Sequence, residues 1–237
     1  HVYLDTGTYL LNDTQRMLAN DSGGTSNPVY IIGSTNWMAG GTILDRQSTN
    51  MGSATIADVA LDFQSVSNVV ASNLIIQHAN TGIGGNRPNL VGIQDVLIRD
   101  GGAAGISMSL GSSVVFTRVV VTRMTGVGST FSSMSPILDS CIIWSNAGSA
   151  LVVGAGVAYV SNSVLHAAST NFCYDLSNSR LYGDYNDLYF TESAYPARFA
   201  ESEKPTLILE GLPQWTVFST QDLYSVAVDP LLAHPDA

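Results

Sequence analysis

The sequence predicts an all-β protein in which the chain coils and its short strands stack in parallel. Three observations support this prediction. A segment pattern recurs at nearly constant spacing through the middle of the chain. The apolar runs are short and β-branched, and Gly, Ser and Asn separate them. No stretch of useful length shows helical periodicity. We therefore expect a solenoid with three short strands in each rung, where a rung is one turn of the coil.

The repeat consists of six matched segments, at residues 72–76, 94–98, 117–121, 139–143, 161–165 and 184–188. Their second residues are at positions 73, 95, 118, 140, 162 and 185, so successive intervals are 22, 23, 22, 22 and 23 residues. Further apolar runs lie between the segments. An antiparallel sandwich would not repeat its sequence so regularly, whereas a coil places equivalent residues one strand spacing (~4.8 Å) apart.

The repeat also resembles that of a known family. Residues 73–76 (Asn-Leu-Ile-Ile) and 162–165 (Asn-Ser-Val-Leu) look like the rung pattern of the right-handed parallel β-helix proteins, the pectate-lyase-like superfamily. Residues 2–9 are similar to the family's first turns, and 184–189 to late rungs of its large secreted bacterial members. The resemblance implies a right-handed parallel β-helix over residues 1–190.

Residues 191–237 do not continue the repeat, and we expect a loop-rich tail that packs on the flank of the helix or leads into further rungs. The chain begins at His1 in an apparent strand, which suggests a piece of a longer product. The fold itself does not fix an activity, because it hosts lyases, hydrolases, epimerases, adhesins and passive stalks.

Composition excludes several classes of function. The 9 basic and 19 acidic residues give a net charge of −10, which leaves no basic stripe for nucleic acid. No apolar run approaches the roughly 20 residues of a membrane-spanning helix. Cys141 and Cys173 fit one disulfide or two buried thiols; we favour thiols, because Cys141 lies within an apolar run. Neither cysteine has a metal-ligand spacing.

Strand alternation assigns the side chains of each repeat to the inside or the outside. We expect inward side chains at Leu74 and Ile76 and at the equivalent positions of later rungs, which include the polar Ser163 and Asn186. The outward positions form three ladders. The first ladder is Asn73, Asp95, Arg118, Ser140, Asn162 and Tyr185; the second is Ile75, Leu97, Val120, Ile142, Val164 and Asp187; the third is Gln77, Arg99, Thr122, Trp144, His166 and Tyr189.

The second ladder is apolar from Ile75 to Val164, and a contiguous apolar patch usually marks an interface. Three explanations are open. The parity of the strands is reversed, the tail covers the stripe, or the stripe docks another chain. Cover by the tail is the first expectation, because residues 207–209, Trp215 and Phe218 supply apolar side chains. The predicted interface residues are Ile75, Leu97, Val120, Ile142 and Val164.

The third ladder is the candidate functional surface. Arg99, Trp144, His166 and Tyr189 would line one groove along the axis. Aromatic faces suit sugar rings, and Arg suits carboxylates and hydroxyls. The competing interpretation is that these are ordinary surface residues.

The catalytic candidates are weaker. A polysaccharide lyase needs a cation near the uronate carboxylate and a base within reach of the C5 proton. Arg99, Arg118 and His166 are the candidates for these roles, and His78 is a further possible base. The carboxylates Asp95, Asp139 and Asp184 lie on separate rungs, which disfavours a hydrolase. No cofactor is predicted; Ca²⁺ is conceivable, but no Asp cluster marks a site for it.

These observations favour an extracellular, bacterial β-helix module, structural or glycan-contacting, within a longer secreted protein. Stacking on its own longer chain or end to end on neighbouring copies is part of this hypothesis, because a solenoid exposes strand edges at its ends. The alternatives are a lyase acting on an acidic polysaccharide and an adhesin that binds neutral sugar.

Overall fold

The computed structural model describes residues 1–48, 58–191 and 193–231. In chain order its strands are β1 (Val2–Tyr3), β2 (Gly7–Leu10), β3 (Gln15–Met17), β4 (Val29–Ile32), β5 (Thr42–Asp45), β6 (Val59–Gln64), β7 (Ser67–Gln77), β8 (Thr81–Asn86), β9 (Asn89–Gly101), β10 (Ala104–Ser109), β11 (Ser112–Met124), β12 (Val127–Ser132), β13 (Pro136–Asp139), β14 (Ile142–Trp144), β15 (Leu151–Gly154), β16 (Val157–Ser161), β17 (Val164–Ala167), β18 (Phe172–Ser177), β19 (Arg180–Asp184), β20 (Asp187–Phe190), β21 (Tyr195–Ala200) and β22 (Leu207–Leu209). Short 3-10 turns occupy Ala19–Asp21 and Trp37–Ala39, and the helix α1 spans Leu212–Ser219.

The strands form a parallel solenoid of about six turns with three faces. The first face stacks β1, β4, the first halves of β7, β9 and β11, then β13, β16 and β19. The second face stacks β2, β5, the second halves of β7, β9 and β11, then β14, β17 and β20. The third face runs from β3 through β6, β8, β10, β12, β15 and β18 to β21.

The register between strands stacks the six matched segments directly on one another. Along the second face, the inward ladder pairs Ile76 with Ile98, Ile98 with Val121, and so on to Leu188. These side chains are buried and belong to one continuous core. Since the stacked segments are parallel and in register, the coil predicted from the repeat is confirmed.

The bend between the first and second faces uses one residue per rung in the left-handed region. Asn73, Asp95, Arg118, Ser140, Asn162 and Tyr185 all have φ between 52° and 57°. These are the residues of the first ladder. The left-handed conformation costs most L-residues roughly 1–2 kcal/mol, although Asn and Asp adopt it more readily. The sequence meets this cost with Asn or Asp in three of the six positions, which explains why Asn opens the rung pattern at Asn73 and Asn162.

The entry to the third face requires glycine in three successive rungs. A Cβ on Gly105 would lie 2.2 Å from Cγ1 of Val121 and 2.7 Å from the carbonyl oxygen of Gly128. Gly82 and Gly128 would meet the same kind of obstruction, from Ile98 and Ile143 respectively. The backbone of this face therefore packs directly against the β-branched side chains of the second face.

At the bend between the first and second faces, polar side chains inside the coil accept hydrogen bonds from backbone N–H groups of the preceding rung. The backbone N–H of Cys141 donates to Oγ of Ser163 (3.0 Å), and the N–H of Ser163 donates to Oδ1 of Asn186 (3.0 Å). Ser163 and Asn186 are the polar residues predicted to point inward, and a polar side chain without a partner would weaken the core. Each is buried and satisfied instead, so the ladder continues through side chains.

The tail closes the C-terminal end of the coil. Strand β21 adds to the third face beside β18, and β22 pairs with β21 in antiparallel orientation. Helix α1 then places Trp215, which is fully buried, 5.4 Å from Tyr174 and 5.6 Å from Phe199 between ring centroids. Trp215 Nε1 donates to Oδ2 of Asp222 at 2.7 Å.

The apolar stripe of the second ladder faces outward, so the parity is not reversed. Ile75 is 7% exposed, and the later side chains of the stripe are half-buried. The tail hydrogen-bonds to the last rung: the N–H of Val226 donates to the carbonyl of Asn186 (2.8 Å). The described tail thus extends the stack beyond Asp187. These contacts of the tail are with the last rungs, so cover of the stripe by the tail and docking of another chain both stay predictions.

Candidate functional site

The third ladder lies along the outside of the second face. Its register follows the strands: Gln77 pairs with Arg99, Arg99 with Thr122, and Thr122 with Trp144. His166 then pairs with Tyr189. Thr122 is buried, whereas the others are partly exposed. The ladder therefore divides into a polar end around Arg99 and an aromatic end from Trp144 to Tyr189.

The aromatic end is one packed cluster of three stacked rings, inclined to one another by 6° to 25°. The ring centroids of Trp144 and His166 are 4.4 Å apart, those of His166 and Tyr189 are 5.4 Å apart, and those of Trp144 and Tyr189 are 5.5 Å apart. Trp144 and Tyr189 are inclined by 6°. Trp144 and Tyr189 are two rungs apart, roughly 10 Å along the axis, so their contact at 5.5 Å shows that the side chains converge on one another rather than leaving the sheet in parallel.

The imidazole of His166 accepts a hydrogen bond from the backbone of the preceding rung. The N–H of Ser145 donates to its Nδ1 at 3.2 Å. In the neutral ring the proton must then be on Nε2, so this nitrogen donates a hydrogen bond rather than accepting a proton. The arrangement disfavours His166 as a base.

The polar end contains a second histidine with the opposite tautomer. Nδ1 of His78 lies 3.0 Å from both carboxylate oxygens of Asp45, which leaves Nε2 as the acceptor in the neutral ring. Asp45 also accepts from Nε2 of Gln77 at 3.0 Å. Burial raises the pKa of Asp45, but the hydrogen bonds from Gln77, from the backbone of Gln47 and from His78 outweigh it, and the pKa is lowered.

The arginines of the polar end are compensated. Arg99 donates to Oε1 of Gln77 from Nε (3.2 Å) and Nη2 (3.1 Å), and its Nε lies 3.6 Å from Asp100. Asp100 in turn accepts two hydrogen bonds from Arg123, at 2.6 and 2.8 Å. The Arg123 guanidinium lowers the pKa of Asp100, which keeps this carboxylate ionised. With Asp45 and Asp100 against Arg99 and Arg123, the polar end is close to neutral.

The three catalytic candidates are not brought together. Arg99 and His166 are three rungs apart on the same ladder, a separation of roughly 14 Å. Arg118 is on the bend rather than in the groove, and it pairs with Asp95 through two hydrogen bonds of 2.7 and 2.8 Å. These hydrogen bonds from Arg118 lower the pKa of Asp95. No base among the three therefore faces an arginine across a space where a substrate could react.

Asp139 and Asp184 lie on another face. At the end of the first face, Ser161 pairs with Asp139 on the preceding rung and with Asp184 on the following rung. Asp139 accepts from Nδ2 of Asn162 at 2.8 Å, which lowers its pKa. Within residues 1–48, 58–191 and 193–231, no group of three or more His, Cys, Asp or Glu side chains is arranged to hold a metal ion.

Sequence reasoning missed the groups that orient the polar end and a pair of exposed tyrosines. Asp45 and Asp100 carry no motif in the sequence, because Asp45 comes from β5, before the six matched segments begin. Tyr159 and Tyr182 stack at 5.3 Å on the first face, outside the six matched segments. Extending the 23-residue spacing to that face would have aligned these two tyrosines.

Comparisons with known proteins identify the fold. No protein-family model matches the sequence, and no curated protein matches it. Among solved structures, the crystal structure of pectate lyase Pel9A has a TM-score of 0.52 at 12% identity, covering 82% of this chain and 68% of that chain. The catalytic domain of Agl-KA has a TM-score of 0.47 at 14% identity, with 85% of this chain and 39% of that chain covered.

A third similar structure is the A-module of the mannuronan C-5 epimerase AlgE4 of Azotobacter vinelandii. It has a TM-score of 0.37 at 11% identity, and the match covers 96% of this chain and 91% of that chain. Together with the three-faced coil, the likeness to the pectate lyase confirms the predicted pectate-lyase-like parallel β-helix. At such identities the likeness shows the fold alone. No helix of the described residues is long and apolar enough to cross a membrane.

Proposed function

We propose that this β-helix is a glycan-contacting module that binds a neutral polysaccharide along its second face. The observation that carries the proposal is the stacked ring cluster of Trp144, His166 and Tyr189, in line with Arg99 on one outward ladder. Aromatic side chains bind the apolar faces of sugar rings, while hydrogen-bond donors nearby bind the hydroxyls. A straight ladder suits a linear chain that lies along the axis.

The length of the ladder favours a polymer over a single sugar. From Arg99 to Tyr189 the ladder crosses four rung spacings, or about 19 Å. Four of the five rungs offer a side chain for contact, namely a guanidinium at Arg99, an indole at Trp144, an imidazole at His166 and a phenol at Tyr189, while Thr122 between the first two is buried. The affinity would thus come from several weak contacts repeated along one chain.

Charge favours a neutral ligand. The chain carries −10, and Asp100 and Gln77 hold the Arg99 guanidinium. A polyanionic glycan would have to replace these partners while approaching an acidic protein. A neutral glycan neither has to replace the partners of Arg99 nor is repelled by the negative charge of the protein. A secreted, bacterial location is part of the proposal. Attachment to a longer chain also belongs to it.

Binding to immobilised neutral and acidic polysaccharides tests the proposal. We expect retention on at least one neutral polymer, and Trp144→Ala should weaken it by about ten-fold or more. Tyr3→Ala is the matched control, because Tyr3 is 71% exposed at the opposite end of the coil. Equal retention of both variants, or binding of acidic polymers alone, would contradict the proposal.

A lyase remains the second candidate because of His78. Its Nε2 is the acceptor in the neutral ring, Asp45 orients it, and Arg99 is on the next rung. A base on one rung and a cation on the next is the combination that uronate proton abstraction requires, and a uronate carboxylate would have to displace Gln77 and Asp100 from the Arg99 guanidinium. Incubation with uronate polymers, with and without Ca²⁺, would reveal unsaturated products by ultraviolet absorbance. Activity that His78→Ala abolishes and Arg118→Ala preserves would favour the lyase over the binding module.

A further inference from the structure

A second aromatic feature lies on the first face, away from the third ladder. Tyr159 pairs with Tyr182 in register, and each keeps 45% of its surface exposed. Their ring centroids are 5.3 Å apart and the rings are inclined by 16°. Large exposed aromatic side chains that are held in one orientation are typical of binding surfaces. This pair is not needed for the core, because the inward neighbours Val160 and Leu181 already fill it.

The folded tail turns this aromatic pair into a cavity. After α1 the chain returns across the end of the first face, and the N–H of Asp222 donates to the carbonyl of Gly183 at 2.8 Å. The resulting cavity has a volume of about 350 Å³. Tyr159 and Tyr182 form one side, and residues 220–223 form the other. Its size is that of a site for one or two sugar units rather than for a polymer chain.

Oxygen atoms at the end of this cavity are fixed by hydrogen bonds. Oδ1 of Asp184 accepts from the N–H of Tyr185 (3.0 Å) and from the N–H of Tyr224 (2.8 Å). Ser161, on the preceding rung, donates to Asp139 at 3.0 Å. Asp184 is therefore an anchored carboxylate that can accept hydrogen bonds from a ligand. The residues that line the cavity include no Lys or Arg.

The geometry points to a second sugar-binding site, formed by Tyr159, Tyr182, Asp184 and residues 220–223, for a terminal neutral sugar. Aromatic rings on one side and a carboxylate at the end match a ring that has an apolar face and hydroxyl donors. The carboxylate and the absence of a lining cation select against uronates and other anionic ligands. The site is separate from the third ladder, because Tyr182 and Tyr189 are on different faces.

The site exists only when the tail is folded. Leu223 and Thr220 come from the returning segment, which Asn186 and Gly183 hold through Asp222. The affinity for sugar should therefore depend on the tail, unlike binding along the third ladder.

Nuclear magnetic resonance titration of the full chain tests the inference. The probes are glucose tetrasaccharides with β-1,4, β-1,3 and α-1,3 linkages, and mannotetraose, each to millimolar concentration. We expect at least one to shift the amide resonances of Gly183, Gln221 and Leu223. Tyr182→Ala should weaken this binding by about ten-fold, and Tyr182→Phe, which keeps the ring, should restore most of it. Leu223→Asp, on the exposed opposite side, should also weaken it without disturbing the core.

Trp144→Ala separates this inference from the proposed function. Trp144→Ala should leave the shifts at Gly183 and Leu223 unchanged, even if all binding to polymers is lost. The inference is overturned if none of the four tetrasaccharides shifts these amides, or if Tyr182→Ala binds as tightly as Tyr182→Phe. Shifts confined to the amides around Trp144 and Tyr189 would also overturn it, while supporting the third-ladder site.

Discussion

Removing Trp215 should detach the tail from the end of the coil. The indole is fully buried against Tyr174 and Phe199, and its Nε1 is a donor to the buried carboxylate of Asp222. Truncating a buried Trp to Ala costs about 3–5 kcal/mol. A buried carboxylate that loses a donor adds about 1–3 kcal/mol. We therefore expect Trp215→Ala to lower the free energy of unfolding by at least about 3–5 kcal/mol.

Trp215→Phe separates the two contributions. Phenylalanine keeps most of the apolar contact with Tyr174 and Phe199 but provides no donor to Asp222. Its expected cost is therefore about 1–3 kcal/mol, the range for leaving one buried polar group without its partner. Ser225 Oγ (2.6 Å) and Asn186 Nδ2 (2.9 Å) also donate to Asp222 and should keep the carboxylate in place.

Hydrogen exchange measured by mass spectrometry is the appropriate assay, because a solenoid can lose its end without unfolding as a whole. In Trp215→Ala, peptides covering residues 207–226 should lose protection, whereas those covering 67–124 should keep it. Urea denaturation followed by circular dichroism then gives the global cost. Unchanged protection of residues 207–226 in Trp215→Ala would refute the assignment of Trp215 as the anchor of the tail.

Three further predictions concern the coil itself. Gly105→Ala should destabilise the protein by about 1–3 kcal/mol through overpacking, whereas Gly24→Ala, where a Cβ meets nothing within 4 Å, should be nearly neutral; thermal denaturation compares them. Burial raises the pKa of the Cys141 thiol to about 11, so a thiol reagent at pH 8 should label it only after denaturation, and rapid labelling of the native protein would contradict its burial. The Arg123 guanidinium lowers the pKa of Asp100 from its usual 3.8, so this pair stabilises the fold above that pH and its contribution is lost as the pH falls through the lowered value. The melting temperature of Asp100→Asn should therefore lie below that of the wild type at pH 7, and a gap that failed to narrow by pH 3 would count against the pairing.

The inward glycines and polar residues show how the coil adapts to its own geometry. Gly105 lets the backbone approach Val121, and Asn186 supplies an acceptor where the strand ladder is interrupted. Both features repeat in neighbouring rungs, as Gly82 and Gly128 or as Ser163. Such positions explain why the repeat is irregular in residue type while it is regular in length.

Strand spacing and side-chain alternation could be predicted from the sequence, because both are local properties of the chain. The nearly constant interval between successive segments, from Asn73 to Tyr185, predicts which segments stack. The apolar pattern around Ile76 predicts which side chains point inward. The line-up of Arg99, Trp144, His166 and Tyr189 follows from the same rule. A chain in which every turn has nearly the same number of residues can adopt few other arrangements.

The sequence by itself therefore determined the coil, its three faces and the order of each ladder. Only the tertiary structure decided how the ladder residues pair, as with Asp45 and His78, which are 33 positions apart, and where the tail lies, through Asn186 and Asp222. The physical reason is that a hydrogen bond between distant segments depends on bends and side-chain directions that no local pattern encodes. The aromatic cluster was within reach of the repeat, whereas the cavity beside Tyr182 required the tail to fold back onto the coil.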